Sequence, residues 1–66
     1  MKELIKRLRI EKELTQQELA DKVGVVRTVI TMLETDDDYK PSVDTAKALG
    51  NELGFDWTLF FEERGE

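Results

Sequence analysis

The chain has 66 residues, with ten Lys plus Arg against fifteen Asp plus Glu, a net charge of −5 at pH 7, and neither His nor Cys. One small domain spanning 1–66 is expected, because a chain near this length buries only about 60% of its unfolded surface and, with no disulfide or thiolate site to staple it, must be an idealised helical bundle or gain stability by dimerising. Without imidazole the usual transition-metal ligands and the usual neutral-pH base are missing, so no catalytic residue, cofactor, metal or small-molecule ligand is assigned.

The first amphipathic helix is expected over about residues 2–12, where Leu4, Ile5 and Leu8, with Ile10 at the margin, recur at helical spacing between charges. The start, MKELIKRLRIEKE, is too interrupted by charge for a signal peptide, and no apolar run approaches the roughly 18 residues of a membrane span. A cytoplasmic setting without membrane contact is the expectation. Leu14 should pack in the connection. Thr15-Gln16-Gln17-Glu18 has the form of a capping box, in which the Thr hydroxyl accepts from the amide three residues on and Glu18 reaches back to the Thr15 amide. A short second helix follows, with Leu19, Ala20 and Val23 inward and Gly24 supplying the left-handed stop.

The third helix is expected over about 26–33, with Val29 or Ile30 and Leu33 towards the core and Arg27, Thr28, Thr31 and Met32 outward or at the edge. Thr35-Asp36-Asp37-Asp38-Tyr39-Lys40-Pro41 reads as an exposed acidic loop; it lacks the alternating carboxylates and closing Glu of a calcium site. Ser42 should cap a fourth helix with Val43, Ala46, Leu49 and Leu53 inward and Gly54 as terminator, and Gly50 within it suggests a close contact. Asp56 should cap a fifth short helix, Trp57 to about Glu62, which carries most of the aromatic area. Four large apolar side chains there, Trp57, Leu59, Phe60 and Phe61, exceed what one face of a short helix can bury.

The second and third helices carry the informative spacing. Ala20 lies four residues before Gly24, Ile30 six after it and Leu33 nine after it. A small residue lets the helices cross closely, a glycine accepts positive φ, and Val25, Ile30 and Leu33 anchor a near-perpendicular pair, which is the helix-turn-helix pattern. Together with RLRIEKELTQQELA, DKVGVVRTVITMLE, KPSVDTAKAL and LGFDWTLFF, nearly the whole chain resembles the single-domain Cro/C1-type (Xre-like) regulators, which include phage repressors.

That resemblance implies an all-α, five-helix, phage-repressor-like domain that binds double-stranded DNA as a homodimer on a palindromic operator, with the third helix in the major groove. It implies base contacts from Val26, Arg27, Thr28 and Met32, of which Arg27 is the best direct reader by chemistry. Phosphate contacts are implied for Gln16 and the neighbouring Gln17 at the start of the second helix, and Thr31 is a further phosphate candidate. Arg9 and Glu34 match a structural ion pair, and Phe55, Leu59 and Phe61 are dimer-interface candidates. Two departures stand out. Val26 occupies a position where the family often has Ser or Thr, and Asp36-Asp37-Asp38 stands where the family usually carries Asn-Gly and a basic residue.

Charge adds a second axis. Met1–Leu33 holds seven basic and five acidic residues, whereas the remainder holds three basic and ten acidic. The acidic total therefore belongs to the second half. An alternative reading from another class is a protein-interaction module of the same fold, an antitoxin or anti-repressor whose acidic surface binds a partner.

Overall fold

A computed structural model describes residues 1–62. Four α-helices follow in order: α1 (Lys2–Glu11), α2 (Gln16–Val23), α3 (Arg27–Thr35) and α4 (Val43–Leu53). The chain then makes a short 3-10 helix, Trp57–Phe61. The expected five-helix count is thus corrected to four helices plus a 3-10 segment. The reason is local: Asp56 spends its carboxylate on the amide and hydroxyl of Thr58, two residues on, and the Leu59 amide bonds the Asp56 carbonyl in the tight three-residue pattern. No strand occurs among the described residues.

The core is one cluster drawn from every element: Ile5 of α1, Leu19 and Ala20 of α2, Ile30 and Leu33 of α3, Ala46, Leu49 and Leu53 of α4, and Phe60 of the 3-10 segment. Of the pair left open for α3, Ile30 is fully buried and Val29 packs partly against the cluster. Leu8, Leu14, Val23, Val25, Tyr39, Phe55 and Trp57 seal its edges. Burying a Leu or Ile side chain is worth about 1.5–3 kcal/mol, so these few residues supply most of the favourable term for so short a chain.

Helix ends account for the topology. At α2 the full capping box is present, with the Glu18 amide donating to the Thr15 hydroxyl at 3.0 Å and the Thr15 amide donating to Glu18 at 2.8 Å. The Ser42 hydroxyl accepts from the Thr45 amide at the start of α4. α1 ends differently. Glu13 adopts φ 61°, the left-handed conformation that glycine takes more readily, and the Leu14 amide closes back onto the Arg9 carbonyl.

Gly50 marks a close approach. A Cβ there would sit 2.7 Å from the Phe55 carbonyl oxygen and 3.0 Å from the Trp57 Cβ. The missing side chain is therefore what lets the chain after α4 fold back onto that helix.

Candidate nucleic-acid interface

The pairing of α2 with α3 begins at Gly24, whose φ of 78° ends α2 while its own amide and that of Val25 both donate to the Ala20 carbonyl. Ala20, fully buried, keeps the two helices close. α3 then starts one residue later than the sequence suggested and runs two further, to Thr35. Val26 is its N-cap rather than its first turn. It carries no capping side chain, and the Thr35 hydroxyl extends the far end by donating to the Thr31 carbonyl.

The start of α3 faces outward. Val26, Arg27 and Thr28 are all exposed, Val26 by 68%, more than any other large apolar side chain among the described residues. Met32, further along the helix, is half-buried. The N-terminal end of a helix also presents unbonded amides and the positive end of its dipole, and with Arg27 this end of α3 is suited to an anionic, groove-shaped ligand.

A four-residue polar network links α1, α2 and α3. Arg9 donates from Nε to Glu34 Oε2 at 2.7 Å and from Nη2 to Glu34 Oε1 at 3.0 Å, a bidentate pair between side chains only 11% and 3% exposed. Its Nη1 donates to the Leu14 carbonyl at 2.7 Å, joining α1 to the α1–α2 connection. The hydrogen bond to Glu34 holds the Arg9 guanidinium above its ordinary value, against the opposing effect of desolvation. Gln16 joins the same carboxylate, its Nε2 donating to Glu34 Oε1 at 3.1 Å, while its Oε1 accepts from the Thr31 hydroxyl at 3.0 Å. No buried side-chain nitrogen or oxygen among the described residues lacks a partner.

The expected phosphate-contact residues thus differ in surroundings. Gln16 and Thr31 are bonded to one another and half-buried, whereas Gln17 is exposed and donates to Asp21 one turn on. Sequence reasoning paired Arg9 with Glu34 but missed the Gln16–Thr31 and Gln16–Glu34 bonds. Those partners lie 15 and 18 residues apart, across the turn, and no local spacing signals them.

The acidic loop begins where α3 ends. Asp36 accepts from the Asp38 amide, Asp37 lies 3.4 Å from Lys2 of α1, and Lys40 donates to the Phe60 carbonyl. These ties fasten the loop to the α1 start and to the 3-10 segment. With Met1 and Glu3, the loop and Leu59, Phe60, Phe61 and Glu62 line an open groove of about 730 Å³. Of the interface candidates, Phe61 is 37% exposed, while Phe55 and Leu59 are half-buried, Phe55 meeting Phe60 edge to face at 5.6 Å.

Comparison with known proteins agrees with this geometry. The helix-turn-helix family model matches residues 5–60, which takes in α1 to the 3-10 segment. An uncharacterized HTH-type transcriptional regulator of Bacillus subtilis (strain 168), YqaF, is 44% identical over 63 residues, covering 96% of this chain and 82% of that protein. The α2–α3 pair joined at Gly24, its outward-facing start of α3 and these matches together place the chain in the Cro/C1-type helix-turn-helix family.

Proposed function

We propose that the protein is a sequence-specific, double-stranded DNA-binding transcriptional regulator, non-enzymatic, acting as a homodimer that represses from a palindromic operator. The observation that carries this reading is the exposed start of α3, where Val26, Arg27 and Thr28 stand together without a side-chain partner among the described residues. Membership of the family, and a relative whose name is that of a transcriptional regulator, support it.

In this mechanism α3 enters the major groove by its N-terminal end. Arg27 donates two parallel hydrogen bonds to guanine O6 and N7, Val26 meets a thymine methyl, Thr28 bonds a base edge, and Met32 fills the space behind them. The start of α2 sits against the backbone, with the amides of Gln16 and Gln17 and the Gln16 side chain turned to phosphate. Phe55, Leu59 and Phe61 join two copies, so that their recognition helices lie about 34 Å apart on one face of the duplex.

The test is a pair of substitutions. Arg27→Ala should relax preference at one base pair per half-site, whereas Gln16→Ala should weaken all sequences alike. Unchanged operator preference with Arg27→Ala would remove the base-reading assignment. The acidic groove flanked by Glu3, Asp37, Asp38 and Glu62 favours a second reading, a module that binds a basic protein partner. That reading gains if no duplex binds at any salt concentration, because phosphate-driven binding must appear as salt is lowered.

A further inference from the structure

We infer that Thr31 and Glu34 are positioning residues for backbone recognition: Glu34 sets the polarity of the Gln16 side-chain amide and Thr31 fastens it, with an N–H left to donate to a phosphate. The inference rests on the DNA-binding reading and goes beyond it by assigning Thr31 a role through Gln16 instead of a phosphate contact of its own.

The chemistry of the network fixes the arrangement. An ionised carboxylate only accepts hydrogen bonds, so the Gln16 atom 3.1 Å from Glu34 Oε1 must be the amide nitrogen. Glu34 is itself held in place by two bonds from Arg9. With the nitrogen committed to that side, the Gln16 oxygen must face the other, and there the Thr31 hydroxyl donates to it at 3.0 Å. Glu34 therefore sets the orientation of the amide, and Thr31, whose hydroxyl donates to the oxygen so presented, fastens it there. An amide nitrogen carries two hydrogens, and Glu34 takes one.

A free glutamine side chain samples many rotamers and must surrender them to bind. Gln16, already fastened at both amide atoms, has given up that freedom on folding, and immobilising a side chain of this length on binding costs roughly three- to tenfold in affinity. Thr31 lies on the face of α3 turned towards α2, so its hydroxyl is spent inside the protein. Its influence on DNA runs through the residue opposite.

The experiment uses the full chain, a random-sequence duplex at several salt concentrations, and four forms: unaltered, Thr31→Val, Thr31→Ser and Gln16→Ala, with the double variant Thr31→Val/Gln16→Ala closing the cycle. Valine keeps the shape of threonine and removes the hydroxyl that donates to Gln16. Thr31→Val should weaken binding about three- to tenfold on every sequence, Thr31→Ser should restore it, and Thr31→Val should add nothing once Gln16 is alanine. The slope of affinity against salt should not change, because a neutral amide releases no counterion.

A second readout needs no DNA. The Gln16 side-chain NH₂ pair should show slowed hydrogen exchange by NMR in the unaltered chain and weaker protection in Thr31→Val, where only the bond to Glu34 still holds the amide, with thermal unfolding confirming that the variant is folded. An equal loss from Thr31→Val in the presence and absence of Gln16, no rescue by serine, or a Gln16 amide that exchanges freely in the unaltered chain overturns the inference while leaving DNA binding intact. An ordered Gln16 amide in a chain that binds no duplex overturns the DNA-binding reading instead, and the phosphate role of Gln16 falls with it.

Discussion

One exposed arginine and one buried glutamate carry opposite expectations. Arg27 is exposed at the start of α3, and a bidentate contact of arginine with guanine is worth about 1–3 kcal/mol of discrimination. Arg27→Ala is therefore expected to reduce the preference between operator and single-base variants by roughly ten- to a hundredfold at one position, measured by competition binding. Glu34 is the opposite case. With its carboxylate 3% exposed and three hydrogen bonds converging on it, Glu34→Ala leaves Arg9 buried without a countercharge and should cost about 3–5 kcal/mol. That approaches the total stability of roughly 3–10 kcal/mol expected for a chain of this length. Replacing Arg9 and Glu34 together by Met and Leu should cost much less in urea unfolding, because no charge is then stranded. If the double change were as damaging as the single one, the cost of stranding a charge would not be the cause.

The elements differ in how much of their geometry could be read in advance. α2 was legible because its cap is a local motif: Thr15 and Glu18 bond reciprocally within four residues, and Gly24 ends the helix by conformation alone. The 3-10 segment was not legible as such, since apolar periodicity over five residues cannot separate one helical type from the other, and the Asp56–Thr58 bonds that tighten it are decided by side-chain rotamer. Nor was the end of α1, where a glutamate adopts the left-handed conformation. That position carries a prediction. Glu13→Gly should remove a conformational penalty of roughly 1 kcal/mol and raise the unfolding temperature by about 4–8 °C, as calorimetry would register.

Gly50→Ala should act the other way. Its Cβ would meet a backbone carbonyl that cannot rotate aside, so the chain from Phe55 to Trp57 must shift, at a cost of about 1–3 kcal/mol. The Asp56 cap adds a pH dependence. Hydrogen bonds from the Thr58 hydroxyl and amide hold its carboxyl below the ordinary carboxylate value. Its contribution is present above the unfolded-state value and is lost as pH falls through the lowered folded-state value. Asp56→Asn should abolish that part of the acid dependence in unfolding titrations at fixed salt.

For the whole molecule the question is how an acidic chain serves as a DNA-binding protein. The half carrying the helix-turn-helix is basic on balance, and the excess acid lies in the second half. Along α3 the Asp36 end lies about 13 Å from Arg27 at 1.5 Å per residue, beyond the roughly 8 Å screening length of physiological salt. Lys2 pairs with Asp37, and Lys40 ties the loop to Phe60. On this geometry, changing Asp36, Asp37 and Asp38 to Asn should alter duplex affinity by less than about threefold at physiological salt while strengthening it more at low salt.

Assembly is a second property of the whole. For the proposed homodimer, Phe61→Ser, which alters the exposed ring at the edge of the 3-10 segment, should shift the chain towards monomer in sedimentation and weaken palindromic sites more than half-sites. What the residues did not make legible was the tie between Gln16 and Thr31, because it forms only when two helices distant in sequence are brought together.

The most direct measurement is selection of bound duplexes from a random pool at two salt concentrations, with the unaltered chain and with Arg27→Ala. The account predicts a two-fold palindrome with half-site centres about one helical turn apart, enriched at both salts, and loss of preference at one base pair per half-site with Arg27→Ala. No enrichment at either salt, or an identical palindrome from Arg27→Ala, would contradict it.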